Sequence, residues 1–194
     1  MSRCPAQVRQ AVESDAAELM ELWSGLTRRT SSATDALAEA REAILRTEES
    51  DTERIIVAVH LGSVVGAAHL SVGPLSPITP ELVLRVNHLT VDPDLRRRGV
   101  GRALMDACVL FAEERGVPSI MAASASNSRD ANRFMARLGL AQIACVRVAA
   151  TASMRAKLPL EVPGMLRGAP NANRQLGQVL AARRSLRRQQ QSVT

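Results

Sequence analysis

Apolar and polar residues alternate over Gln7–Val12 ("QVRQAV"), the period of a short strand with one buried face. The period then lengthens. Leu19, Leu22, Trp23 and Leu26 fall on one face of a helix, with Asp15 placed to cap it and Glu18 three residues on, a capping-box spacing. A Thr/Ser-rich break precedes a second helical pattern over Asp35–Glu49. The segment "RIIVAVHLGSVVGAAHLSV" predicts two strands joined by a tight turn at Leu61–Gly62–Ser63. "GPLSPITP", with three prolines, reads as a loop, and "ELVLRVNHLTV" (Glu81–Val91) as a long strand stopped by Asp92–Pro93. In "GRALMDACVLFAEERG", Leu104, Cys108 and Phe111 have core-facing helical spacing and Gly116 is the stop signal. "SIMAASAS" predicts a strand, "NSRDANRFMARLG" a helix ending at Gly139, "QIACVRVAA" a further strand and "SMRAKL" a final one. The order β-α-α-β-β-β-α-β-α-β-β predicts a mixed α/β sheet with helices on its faces.

Past Leu158 the character of the chain changes. "PLEVPGMLRGAP" is a Pro/Gly-rich linker, and "NANRQLGQVLAARRSLRRQQQ" predicts an arginine-rich helix with Leu176, Val179, Leu180 and Leu186 near one face. Two parts are expected, a folded domain over residues 1–158 and a basic extension over 159–194. The charge supports the division. Of a net +6, residues 159–194 carry six arginines and one acid (+5), while the first 158 residues hold 19 basic and 18 acidic groups (+1). The body therefore lacks the basic surface of a nucleic-acid binder. The tail leaves open nucleic acid, an acidic protein or a second copy of the chain in a homodimer. Three scattered cysteines without CxxC or His/Cys pairing predict neither a disulfide framework nor a metal site. No apolar run approaches the length of a membrane span, so a cytoplasmic protein without a membrane partner is expected.

The candidate chemistry lies in "VDPDLRRRGVGRAL" (Val91–Leu104). A strand that ends at a proline, a glycine-containing turn and a helix start together make an anion site. First-turn N–H groups point outward, and the helix dipole adds about half a positive charge there. Gly99 and Gly101 let the backbone approach a phosphate closely, and Arg96, Arg97, Arg98 and Arg102 add charged donors. The Gly-Lys-Ser/Thr ending of a Walker loop is missing, and so is the GxGxxG of a dinucleotide fold. A ligand bearing a pyrophosphate is what remains.

This stretch resembles the acyl-CoA pyrophosphate loop of the GNAT superfamily of N-acyltransferases, Arg/Gln-x-x-Gly-x-Gly/Ala, through Arg96, Gly99 and Gly101. "NSRDANRFMARLGL" resembles the family's downstream element through Asn127, Ala131, Phe134, Leu138 and Gly139. "VHLGSVVGAAHL" resembles its Gly-x-x-Val-Gly strand turn, and "VRQAVESDAAEL" its first strand and helix. The four segments, in family order, span about residues 7–158. The resemblance implies a mixed, mostly antiparallel central sheet flanked by helices. It also implies an N-acetyltransferase that moves an acetyl group from acetyl-CoA, without a metal, to a primary amine on a small molecule or a protein. On that reading the backbone of Leu89, Thr90 and Val91 pairs with the pantetheine arm. The loop Arg96–Arg102, with Val100 inside it, holds the pyrophosphate; Asn127 contacts the cofactor arm, and Ala131 and Phe134 pack along it.

One position departs from the family. Where its members often carry a tyrosine that protonates the leaving thiolate, this chain has Met135, and it contains no tyrosine at all. Ser124, Ser126, Ser128, a water or no group takes that role, so a GNAT-like module that binds acyl-CoA without catalysis stays open as an alternative. Two bases are candidates. His88 stands on the strand that leads to the loop, and imidazole ordinarily accepts a proton near neutral pH. Glu81 lies earlier on the same strand, where family members often carry a base. Regular alternation puts them on opposite faces; a bulge would change that. His60 and His69 are read as structural or surface residues.

Overall fold

The two β-rich runs around Gly62 build the centre of the sheet. The computed structural model describes residues 6–25, 33–124, 128–144 and 146–158. Strands β2 (Glu53–His60) and β3 (Ser63–Ser76) pair antiparallel across a two-residue turn. Leu61 and Gly62 there have φ of 51° and 86°, the left-handed geometry whose twist matches a tight hairpin. β1 (Gln7–Gln10) lies antiparallel on β2 and β4 (Thr79–Val91) antiparallel on β3, while β5 (Ser119–Ala122) runs parallel to β4. The strand order is β1-β2-β3-β4-β5. This is the mixed, mostly antiparallel sheet the sequence implied.

Alternation sorts the side chains to two faces. Ile56, Ala58, Ala68, Leu70, Leu84 and Val86 pack against helix α3 (Val100–Glu114), whose Val100, Leu104, Met105, Cys108 and Phe111 are buried. Ile55, Val57 and Ala67 face the other way, with Leu19 of α1 (Ala16–Leu22) and Ile44 of α2 (Ala33–Glu48). Burial pushes the Cys108 thiol up to about 12, so it packs as an apolar group and is not a nucleophile.

Gly66 sets how closely α3 approaches the sheet. A Cβ at that position would stand 3.1 Å from Leu104 Cδ1, from Val100 Cγ1 and from the Thr90 carbonyl oxygen. Backbone and two fully buried side chains cannot all give way. Gly66→Val is expected to destabilise the fold by about 1–3 kcal/mol through overpacking, read as a lower urea midpoint at unchanged m.

The start of α1 differs from the expected capping box. Glu18 does not close one; its carboxylate accepts from the Val64 N–H at 3.1 Å and ties α1 to β3. Asp15 turns back instead, accepting from Arg9 Nη1 and Nη2 at 2.6 and 2.8 Å and from the Val12 N–H at 2.8 Å. The hydrogen bonds from Arg9 hold the Asp15 carboxyl below its ordinary 3.8, against the opposing effect of burial. A carboxylate with a depressed folded-state pKa stabilises at pH values above the unfolded value and loses that contribution as pH falls through the folded one. Asp15→Asn is therefore expected to cost about 1–2 kcal/mol at pH 7, at the low end for a charged bond because the Arg9 guanidinium remains partly solvated. The gap between variant and wild type should close as denaturation is followed from about pH 4 downward.

Three other segments depart from the sequence reading. "GPLSPITP" is not a loop: β3 and β4 continue through it as a hairpin, with Ser76 opposite Thr79 and Pro74 opposite Leu82. β2 accompanies β3 only as far as Ser71, so the prolines fall on an edge, where sheets tolerate them. The strand expected over 142–150 is absent among the described residues, and Ile143, Val146 and Val148 are exposed. "SMRAKL" falls in helix α5 (Thr151–Lys157), not in a strand. Two units divide the chain, Met1–Cys145 and Val146–Thr194. The first holds the sheet with α1, α2, α3 and α4 (Arg129–Arg137), and the described part of the second holds α5. The arginine-rich helix expected near the C-terminus lies outside the described residues.

Candidate functional site

The site is built where β4 loses a neighbour. Parallel pairing with β5 runs from Val83 opposite Ser119 to Val86 opposite Ala122, and the Ala123 N–H closes it on the Val86 carbonyl. Among the described residues Asn87 to Val91 pair with β3 alone, so one backbone edge of Leu89, Thr90 and Val91 has no strand beside it, the Val91 carbonyl on it accepting from Arg96 Nε. Backbone groups left in this way need a partner. An extended, amide-bearing ligand is one that fits.

His88 marks the point of divergence. Asn87 pairs with His69 and Thr90 with Ala67, so β4 spends one residue more than β3 over this interval, which is a bulge. His88 takes φ of 55°, and its carbonyl accepts from Trp23 Nε1 at 2.9 Å and from Thr90 Oγ1 at 3.0 Å. The Trp23 ring stands 5.9 Å from the imidazole, tilted by 55°. Trp23 itself packs with the α1–α2 core. The bulge therefore sets the exposed His88 ring on the α1 side of the sheet. Glu81 is also exposed, but residues 81 and 88 are about 23 Å apart along a strand of this rise. The structure does not bring the two candidate bases together.

The predicted anion loop follows directly. The Asp92 N–H bonds the Val65 carbonyl, and Asp92 Oδ1 accepts from the Asp94 N–H, fixing a short 3₁₀ turn over Pro93–Leu95. Arg97 has φ of 62°, and Gly99, the residue before α3, has φ of 99°. No carbonyl of a described residue accepts from the backbone N–H groups of Arg97 to Arg102; the first such bond of α3 runs from Ala103 to Gly99. These donors and the exposed side chains of Arg97, Arg98 and Arg102 are available to an anion. Arg96 spends its Nε on the Val91 carbonyl at 3.3 Å, which leaves its terminal nitrogens. The Val100 side chain is buried and anchors the helix start on the sheet.

α4 closes the opening from the far side. A Cβ at Gly101 would lie 3.5 Å from Phe134 Cζ and 3.7 Å from Val91 Cγ2, so three of the residues singled out in the sequence converge. Ser128 caps α4 by accepting from the Ala131 N–H at 3.3 Å, and Ser124 donates to Asn132 Oδ1 at 3.1 Å. The Ser124 hydroxyl proton is thereby engaged, whereas Ser128 accepts and its own O–H is not used in the cap. Met135 is buried in the core. Asn127 and Ser126 lie outside the described residues. Among the described residues no group of three His, Cys, Asp or Glu side chains is placed to hold a metal ion, and no helix is long and apolar enough to cross a membrane. Sequence reasoning placed Trp23 on the core face of a helix and missed it as part of the site; Gly66 was legible as the closing glycine of the Gly-x-x-Val-Gly turn, a glycine inside a strand pattern, which often marks a close backbone approach.

A family model for the acetyltransferase (GNAT) family matches residues 17–140. The chain belongs to the GNAT acetyltransferase family. Solved GNAT structures share its fold. An acetyltransferase from Trypanosoma brucei superposes with a TM-score of 0.60 at 24% identity, covering 75% of this chain and 99% of that one. Glucosamine-6-phosphate N-acetyltransferase from Arabidopsis thaliana gives 0.61 at 15%, covering 75% and 98%. The aminoglycoside acetyltransferase AAC(6')-Iy, in complex with a CoA-linked bisubstrate analogue, gives 0.60 at 18%, covering 75% and 97%. None of the curated proteins matches the sequence. At these identities the likenesses establish the GNAT architecture; the acceptor of each belongs to that protein.

Proposed function

We propose that this GNAT protein is an acyl-CoA-dependent N-acetyltransferase acting on a primary amine, carried by a small molecule or by a protein. One observation carries the reading: a helix start with six N–H groups that no carbonyl of a described residue accepts from, bent by a left-handed glycine, lies at the end of a strand that leaves its neighbour among the described residues. The residues present fit acetyl-CoA. The loop Arg96–Arg102 would take the pyrophosphate, Leu89, Thr90 and Val91 the pantetheine amides, and Ala131 and Phe134 the apolar side of the arm; Asn127, outside the described residues, is assigned to the arm by the resemblance alone. Bound acetyl-CoA supplies an activated acyl group as a thioester.

The chain's own contribution is positional and electrostatic. An open β4 edge aligns an extended ligand along the strand, and N–H groups at the α3 start neutralise charge without reorganising. The exposed His88 ring, held beside Trp23 at the bulge, is the group that would take the proton from an ammonium. His88 is preferred to Glu81 because it stands at the point where β4 and β5 part. Burial of Met135 and the engagement of the Ser124 hydroxyl favour a second reading, a module that binds acyl-CoA without turnover. Loss of a general acid need not abolish the reaction, since coenzyme A is a fairly good leaving group. Incubation with acetyl-CoA and a panel of amines, following free thiol, separates the two. Release above the hydrolysis background with at least one amine is the expected result, and binding with no release for any amine would replace the enzyme with the module.

A further inference from the structure

One backbone carbonyl joins helix α1 to the bulge of β4. The strand places His88 and Leu89 where β3 has Ala68 alone. His88 takes the left-handed φ of 55° there, a region that histidine enters more readily than most side chains but still at a cost. A residue kept in such a conformation needs support from its surroundings. Two side-chain donors converge on its carbonyl. Thr90 Oγ1, two residues along the same strand, stands at 3.0 Å, and Trp23 Nε1, 65 residues away in sequence, at 2.9 Å.

Trp23 is itself fixed from behind. It caps the end of α1, where its backbone N–H bonds the Leu19 carbonyl at 2.9 Å. Its ring packs against the buried cluster that holds Leu19, Ile44 and Val57. An indole N–H in such a place ordinarily finds an acceptor; here the acceptor belongs to the residue where β4 bulges away from β3. The same ring stands 5.9 Å from the imidazole, tilted by 55°. The end of α1 therefore holds the His88 carbonyl and flanks its side chain.

We propose that Trp23 is a positioning residue for His88: its indole N–H locks the bulge and so fixes where the imidazole stands relative to the β4 edge. The proposal rests on the reading of His88 as the base. Leu89, Thr90 and Val91 follow His88 directly, so a bulge that relaxes moves the base away from the place where that edge would hold a thioester. A misplacement of about 1 Å can cost about 100-fold in rate. In this role Trp23 touches neither acceptor nor cofactor; it acts through His88.

Steady-state kinetics on the full-length protein, with the best amine of the thiol-release panel, test it. Trp23→Phe keeps an aromatic ring and removes the donor. It should lower kcat about tenfold, less than loss of the base itself, with KM unchanged for both acetyl-CoA and the amine. In a His88→Asn background the same substitution should cost nothing further, because no imidazole is left to position. A merely structural role would cost the same in both backgrounds. Wild-type kcat in Trp23→Phe, an equal loss in the two backgrounds, or a loss confined to the amine's KM would overturn the positioning role. Trp23 is the only tryptophan in the chain, so the unsubstituted protein gives a check that no misfolded variant can spoil. Its single indole N–H resonance should exchange with deuterium at least about tenfold more slowly than that of free tryptophan; exchange at the free rate would overturn the lock. Wild-type kcat in His88→Asn would overturn the base reading instead, and with it the group that Trp23 serves.

Discussion

Gly99→Asp should weaken acetyl-CoA binding by about 100-fold or more, measured by calorimetry, with far-UV circular dichroism unchanged. Two effects add. Gly99 has φ of 99°, a region that costs an ordinary L-residue about 1–2 kcal/mol. The new carboxylate would also sit where the pyrophosphate charges are proposed to lie. At 4 Å and an effective dielectric near 20, each like-charge pair costs about 4 kcal/mol. Solvent and salt at this exposed loop reduce that, but not to nothing. Gly99→Asn separates the effects, because asparagine tolerates the left-handed backbone and carries no charge; it should lose far less affinity. Gly101→Asp should weaken binding as well, since a side chain larger than a methyl must displace the Phe134 ring 3.5 Å away. An aspartate at Gly99 that leaves affinity untouched would remove the pyrophosphate from this loop.

His88→Asn should lower kcat/KM by about 10²–10⁴-fold, the usual contribution of a positioned base, while the acetyl-CoA dissociation constant stays as it is. Asparagine suits the experiment because it accepts the positive φ of the bulge. It also preserves the backbone carbonyl that receives the Trp23 and Thr90 hydrogen bonds. A loss in this variant therefore reports on the imidazole rather than on a collapsed strand. Glu81→Gln is the matched control and should retain wild-type kcat/KM, standing seven residues up the strand from the bulge. If the large loss appeared in Glu81→Gln and not in His88→Asn, the base would have to move to Glu81.

Much of the fold was legible because its signals were local. Leu104, Cys108 and Phe111 share one helical face, and all three are buried; periodicity suffices where one side of a helix packs on a sheet. The turn at Leu61–Gly62 was equally plain, because the backbone conformation of a two-residue hairpin selects its residues. "QIACVRVAA" shows the opposite case. Its β-branched residues read as a strand, yet Val146 and Val148 stand exposed, because strand propensity describes fit to a partnered, half-buried surface rather than a backbone preference. "GPLSPITP" failed in the other direction. Prolines read as loop markers without knowledge that β3 there is an edge.

For the candidate site, the glycine-bent helix entrance was legible and the place of His88 was not. Glycines, arginines and a helix start are contiguous in the chain, so Val91–Leu104 specified by itself a glycine-bent helix entrance, the element proposed to take an anion. Whether His88 faces α1 or stands near Glu81 depended on one extra residue in the ladder between β3 and β4. A bulge has no local signature, because it exists only as a mismatch between two partners. The sequence alone therefore determined the glycine- and arginine-rich helix entrance and the helices and hairpin around it. Only the tertiary structure decided that β4 parts from β5 at Val86, that the His88 ring stands beside Trp23, and that Phe134 meets Gly101 and Val91 at the helix entrance. Each of those is a relation between elements, set by register and packing rather than by any one segment's composition.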